Sequence, residues 1–176
     1  MTIKRIEEFK LSSKQHLDIS QLLKVCFSAY PDNRSFYKQF PSFRFLVFEK
    51  KSIIAHLAII HRLVKVDAKN FAIFGVSDLC VHPDFQHQKI ASILLEKLEE
   101  LGKKHRIDFI LLIAQEQKFY KKNGYKTFDN TCRWIIINEA QSLGIAERNL
   151  DHALMVKTLS DKKWKKGTVD FLGSLF

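Results

Sequence analysis

The stretch HPDFQHQKIASILLEKL, residues 82–98, holds the pattern with the most chemical content. A strand ending at Val81, a short loop and a helix from about Ile90 leave the first N–H groups of the helix unpaired, and such groups collect anions. Gln86 to Ala91 are therefore candidate phosphate ligands through their main chain. The loop has no glycine, and Lys89 stands where such loops usually carry one. Glycine serves there either a positive φ or the close approach of a ligand. With residue 89 in the helical region only the second reason applies, and a lysine whose stem points outward keeps its N–H available.

Other reactive groups lie nearby in sequence. Asp78 is the carboxylate of the strand that feeds the loop, and His56, His61 and His82 are further candidate bases because an unperturbed imidazole titrates near neutrality. Cys80 sits in an apolar run, where a thiol is usually buried and inert. His82 and His87 lie five apart in a loop, which is not a metal-ligand pattern, so no metal is predicted. No serine occupies a Gly-x-Ser-x-Gly elbow.

The elements that must position these groups follow from periodicity. TIKRIEEF reads as a first strand, and residues 13–30 as a helix with Leu17, Leu22, Val25 and Phe27 on its apolar stripe. FRFLVFEK, SIIAHLAIIHRLVKV and FAIFGVSDLCV are β-branched runs separated by EKKS and DAKN, an antiparallel meander. Ala91, Leu94, Leu95, Leu98 and Leu101 then recur at helical steps, with Gly102 as a stop. IDFILLIA is almost wholly apolar, which suits a strand buried on both faces, as parallel strands are. QEQKFYKKNGYKTF reads as a short helix closed by Asn123-Gly124 and followed by a strand. RWIIIN and HALMVKTL are further strands, and the tail WKKGTVDFLGSLF shows no clear period.

Composition bounds the function. A chain of 176 residues that is 46% hydrophobic, with 15 Phe, suits one domain, residues 1–176, with a sizeable core. Cys26, Cys80 and Cys132 form no CxxC pair, which points to a reducing, cytoplasmic setting. No apolar run approaches the ~20 residues of a membrane span, so no membrane partner is expected. The formal charge of +10 implies an anionic partner: nucleic acid, an acidic surface or a polyphosphate cofactor. The lysines are spread through helices and turns and are not interleaved with aromatics, which argues against nucleic acid.

Two motifs carry a resemblance. VHPDFQHQKIA supplies Val81, Pro83, Gln86, Ile90 and Ala91 in register with the phosphate loop of the GNAT superfamily of N-acetyltransferases, with Lys89 in place of its first glycine. FYKKNGY, Phe119 to Tyr125, is similar to the superfamily's second signature, and one helix and one strand separate the two. Together they cover roughly residues 71–128. AHLAIIHRLVKV and WKKGTV, residues 55–66 and 164–169, look similar to nodulation N-acyltransferases of the same superfamily and keep larger acyl groups in play.

The resemblance implies a single α/β domain: a mixed, mainly antiparallel sheet flanked by helices, with a splayed strand pair that binds acyl-CoA. It implies acetyl-CoA, or another acyl-CoA, as co-substrate. The pyrophosphate is expected on Gln86, His87, Gln88, Lys89, Ile90, Ala91 and Ser92, and the pantetheine arm beside Leu79, Cys80 and Val81. Tyr120 takes the place of a tyrosine that protonates the leaving thiolate, and Asp78 is the candidate base, with Gly75 near the usual glutamate position. Direct transfer to a small-molecule or peptide amine is preferred to an acyl-enzyme on Cys80. A catalytically idle acyl-CoA-binding module and a basic nucleic-acid-binding protein are the alternatives. The apolar end DFLGSLF packs on its own sheet or on a second copy, so oligomeric state stays open.

Overall fold

A computed structural model describes all 176 residues. The chain divides into two compact units, Met1–Ile60 with Ser77–Glu96, and His61–Val76 with Lys97–Phe176.

In the first unit β1 (Thr2–Glu7) runs antiparallel to β2 (Phe43–Glu49), from Thr2↔Phe48 to Glu7↔Phe43. β2 pairs antiparallel with β3 (Ser52–Val66), from Phe43↔Ile59 to Glu49↔Ser52, with a register slip between Val47 and Phe48. The predicted limits of β3 coincide with the observed ones: Ile53–Ile59 are buried on both faces, and from His61 to Val66 burial alternates with exposure at the strand period of two. α1 (Ser13–Cys26) packs Ile19, Leu22 and Leu23 into a core with Tyr30, Leu46, Ile53 and Cys80. The expected stripe of Leu17, Leu22, Val25 and Phe27 is corrected: Leu17, Val25 and Phe27 are exposed. Ile19, Leu22, Leu23 and Cys26 follow the i, i+3, i+4, i+7 rule better and form the buried face.

α1 starts at a reciprocal cap. Ser12 Oγ accepts from Gln15 N at 3.2 Å, and Gln15 Oε1 accepts from Ser12 N at 2.9 Å. Ser12→Ala should cost about 1 kcal/mol and lower Tm by roughly 2–4 °C in a thermal melt.

The second unit holds strands in the order β6-β9-β5-β4-β3-β10-β7-β8. These are β4 (Lys69–Val81), β5 (Phe109–Ile113), β6 (Lys126–Thr127), β7 (Thr131–Asn138), β8 (Gln141–Asn149), β9 (Leu154–Thr158) and β10 (Thr168–Asp170), with β3 from above. The β4–β5 ladder, Ile73↔Phe109 to Gly75↔Leu111, is parallel, as is β7–β10; β5–β9, β6–β9, β3–β10 and β7–β8 are antiparallel. Ile73, Phe109, Leu111, Leu154, Val156, Val169 and Phe171 form the core with Trp164. Trp164 Nε1 donates to Asn130 Oδ1 at 3.0 Å, while Asn130 Nδ2 donates to the carbonyls of Lys165 and Gly167 at 3.0 and 2.8 Å. This buried amide fastens the tail element WKKGTV. The sheet is mixed and mainly antiparallel and the class is α/β, as expected.

Three local features depart from the sequence reading. α2 (Ile90–Lys104) runs past Gly102 and ends where Arg106 turns left-handed at φ +57. Gly102 instead allows close packing, since a Cβ there would lie 2.3 Å from Leu159 Cδ1. β8 had no strand signal because it is polar and exposed along most of its length. β10 is three residues long, too short for a period.

Candidate active site

The candidate base, Asp78, lies within β4 of the first unit but has φ +50, left-handed backbone inside a strand. Such an interruption bends the strand and re-aims side chain and carbonyl, and Asp tolerates it better than most residues. The half-buried carboxylate accepts a hydrogen bond from Tyr30 Oη at 3.0 Å. Burial pushes the Asp78 carboxyl above the usual range, and hydrogen bonds from Tyr30 and Ser77 and the Arg44 charge oppose that rise. Burial also raises the Tyr30 phenol, with the Asp78 charge adding to it, so Tyr30 is the proton donor of the pair.

A buried polar chain supports this kink from behind. Arg44, on β2, is fully buried, and its Nε and Nη2 donate to the two oxygens of Glu8 at 2.6 and 2.8 Å. Arg44 Nη1 reaches the Ser35 carbonyl at 2.7 Å and His56 Nε2 at 2.8 Å. His56 Nδ1 lies 2.9 Å from the Asp78 carbonyl. An arginine can only donate, so Nε2 accepts, and the Nδ1 proton goes to the carbonyl. Burial and then the Arg44 charge hold His56 at a pKa of about 3. His56 is thus a neutral link with both nitrogens engaged, which removes it as a base. His82 accepts from Asp84 N at 3.3 Å through Nδ1. His61 packs edge-on against Phe74 in the second unit.

Beyond Asp78, Leu79 and Val81 are half-buried and Cys80 is buried. The contact with Cys26 and burial push the Cys80 thiol well up, so it stays protonated and is a poor nucleophile. The Val81 carbonyl accepts from Gln86 Nε2 at 3.2 Å and from Cys26 Sγ at 3.5 Å. Gln86 therefore ties the loop to the strand with its side chain.

The loop itself corrects one expectation. Lys89 is not in the right-handed helical region but at φ +61, and His87 is at φ +63, with Gln88 between them on the negative side. Alternating backbone hand of this kind turns successive N–H groups into one concavity, an anion nest. The first helical bond runs from Ile93 N to Lys89 O at 3.0 Å, so the N–H groups of Ile90, Ala91 and Ser92 lie in the first turn, where the helix supplies no acceptor. Gln86 to Lys89 are exposed, while Ile90 is buried and anchors the turn. The positive-φ reason for glycine thus applies at position 89. Lys89→Gly should relieve left-handed strain and raise stability by about 1 kcal/mol, read as a Tm roughly 2–4 °C higher. Acyl-CoA affinity, followed by calorimetry, should change only a few-fold. A lower Tm would show that the lysine side chain makes a compensating contact.

In the second unit α3 (Gln117–Lys122) carries Phe119 and Tyr120 and closes at Asn123-Gly124, with Gly124 at φ +84. Tyr120 is edge-on to Phe119 at 5.1 Å and to Tyr125 at 5.8 Å between ring centroids. Burial raises its phenol above the usual value, so it carries its proton at neutral pH. Lys157 holds the end of α3: its Nζ donates to the Asn123 carbonyl at 2.8 Å and pairs with Glu99 of α2. Gly75 is covered by the C-terminal ring, since a Cβ there would come within 2.1 Å of Phe176. That position cannot supply a carboxylate without moving Phe176.

Tyr30, Arg44, Glu8 and Phe176 are absent from the sequence reading. Only contacts between distant residues reveal them.

The profile of the acetyltransferase (GNAT) domain matches residues 41–127. No curated protein sequence matches the chain. Among solved structures, the GNAT family N-acetyltransferase YhbS from Escherichia coli, in complex with CoA, is similar at TM-score 0.67 and 14% identity, covering 96% of this chain and 88% of that one. A GNAT family acetyltransferase from Brucella melitensis, in complex with acetyl-CoA, is similar at TM-score 0.62 and 12% identity, covering 96% and 94%. Eis1 from Mycobacterium abscessus gives TM-score 0.61 and 13% identity over 76% of this chain, which spans 34% of Eis1. The mixed sheet and the matching domain profile agree, and residues 41–127 belong to the GNAT superfamily of acetyltransferases.

Proposed function

We propose that this chain is an acyl-CoA-dependent N-acyltransferase, transferring acetyl to the primary amine of a small molecule or peptide, and that residues 1–176 act as one domain. The observation that carries the reading is the alternating backbone hand at His87–Lys89, directly ahead of the first turn of α2, whose N–H groups have no acceptor within the helix; such an arrangement suits an anion. The CoA and acetyl-CoA held by the YhbS and Brucella structures support the choice of anion. Gln86 to Ser92 would take the pyrophosphate, and Leu79, Cys80 and Val81 the pantetheine amides.

In the proposed reaction the amine nitrogen attacks the thioester carbonyl carbon, giving a tetrahedral oxyanion that main-chain donors stabilise. The C–S bond then breaks. Asp78 receives the ammonium proton, and the Tyr120 hydroxyl gives a proton to the departing thiolate. Exchange with solvent restores both groups. Tyr120→Phe should lower kcat roughly 10- to 100-fold with little change in KM for acetyl-CoA.

The covered Gly75 favours one second reading, an acyl-CoA-binding module without turnover. Incubation with acetyl-CoA and a panel of amines, following thiol release, separates the two. Amine-dependent release supports the acyltransferase; tight CoA binding with no release on any amine supports the idle module. A series of acyl-CoA chain lengths in the same assay tests whether acetyl is preferred, the point raised by the similarity of residues 55–66 and 164–169 to nodulation enzymes.

A further inference from the structure

The segment between α1 and β2 carries a chain of three contacting rings that reaches Asp78 through Tyr30, and a further ring pair beside it in sequence. Phe27 stacks on Tyr30 at 6.1 Å between centroids, and Tyr30 leans on Tyr37 at 5.9 Å. Phe36 and Phe40 pack at 4.4 Å. Three of these rings are open to solvent: Phe27 at 38%, Tyr37 at 52% and Phe40 at 62%. The inner ring, Tyr30, is buried and donates its hydroxyl to the Asp78 carboxylate. Exposed rings grouped in one irregular segment of a chain with charge +10 are an unusual use of surface, and such patches mark ligand sites.

The chemistry of the row is specific. Its inner end offers a carboxylate that attracts an ammonium, and its outer end offers flat apolar faces that bury carbon and attract cations. The protein already places an ammonium on one face, with Lys38 Nζ 5.6 Å from the Tyr37 centroid. Burial lowers the Lys38 pKa, so that cation is only partly hydrated. An amino sugar brings hydroxyls and a polyamine only a narrow methylene chain, so neither covers these flat faces with carbon as an aryl ring does.

We propose that the acceptor is an arylalkylamine, an aromatic body that lies on Tyr37 and Phe40 and presents its amine to Asp78. The inference rests on the acyltransferase reading, but binding tests it separately. Wild-type protein, Tyr37→Ala, Phe40→Ala and Tyr37→Phe would be supplied with CoA or acetyl-CoA and with phenethylamine, tryptamine, spermidine, glucosamine or a lysine peptide. Binding would be read by ligand-observed NMR and turnover by thiol release.

Phenethylamine and tryptamine should exceed the polar amines at least about tenfold in affinity and in kcat/KM. Tyr37→Ala and Phe40→Ala should each reduce that advantage about tenfold through KM, with KM for acetyl-CoA unchanged, and Tyr37→Phe should keep it. Ring-dependent binding of arylalkylamines without thiol release would support this inference and sink the acyltransferase reading. Equal or better use of polar amines, or a preference untouched by Tyr37→Ala and Phe40→Ala, would overturn the inference and leave the acyltransferase standing.

Discussion

Asp78→Asn should lower kcat/KM for amine acylation by roughly 100- to 10,000-fold, the range for removing a general base, while acyl-CoA affinity stays within a few-fold. Asparagine has almost the same shape, tolerates left-handed backbone and still accepts from Tyr30, so the kink in β4 should persist. The stability effect has the opposite sign. Because the folded carboxyl titrates above its unfolded value, burying the carboxylate weakens the fold at pH values above the unfolded pKa of about 4. The amide carries no such penalty, and Tm at pH 7 should be unchanged or higher. The pH–rate profile adds a check. Activity of the wild type should rise through the elevated pKa of Asp78, and this acidic limb should vanish in the variant. Full activity in Asp78→Asn would move the base elsewhere.

Arg44→Ala should cost roughly 3–5 kcal/mol, a Tm loss on the order of 10 °C in calorimetry. The guanidinium is fully buried, and its removal strands the Glu8 carboxylate, the Ser35 carbonyl and His56 Nε2 at once. Glu8→Gln, which leaves one acceptor for two Arg44 donors and removes the counter-charge of the buried guanidinium, should also lower Tm. The same chain sets an acid limit on stability. His56 is held near a pKa of about 3 when folded and near 6.5 when unfolded. Between those values only the unfolded chain takes up the proton, so stability should decline as pH falls from about 6.5 toward 3. His56→Gln should flatten that decline. A pH-independent Tm in this window would contradict the buried neutral assignment.

How far these groups are legible in sequence depends on the range of the interaction that fixes them. β3 and the buried β5 are readable because an apolar run longer than any turn leaves few alternatives. The loop before α2 is readable as a strand, a turn and an amphipathic helix in succession. The backbone hand of Lys89 is not, because a lysine carries no propensity for φ +61 and only the closing of the turn imposes it. Asp78 is readable as a carboxylate, but its partner Tyr30 lies 48 positions away in a segment without periodicity. Arg44 looks like a charge out of place in an apolar strand until Glu8, 36 positions earlier, meets it. The ring over Gly75 comes from the tail, whose apolar residues give no register.

The most direct test of the central claim is a crystal structure of the protein with CoA. The account predicts the pyrophosphate oxygens within hydrogen-bond distance of main-chain N–H groups among Gln86 to Ser92, with the pantetheine amides pairing along Leu79 to Val81 and Lys89 retaining positive φ. CoA bound away from this loop, or the loop refolded into right-handed helix with no anion on it, would contradict it.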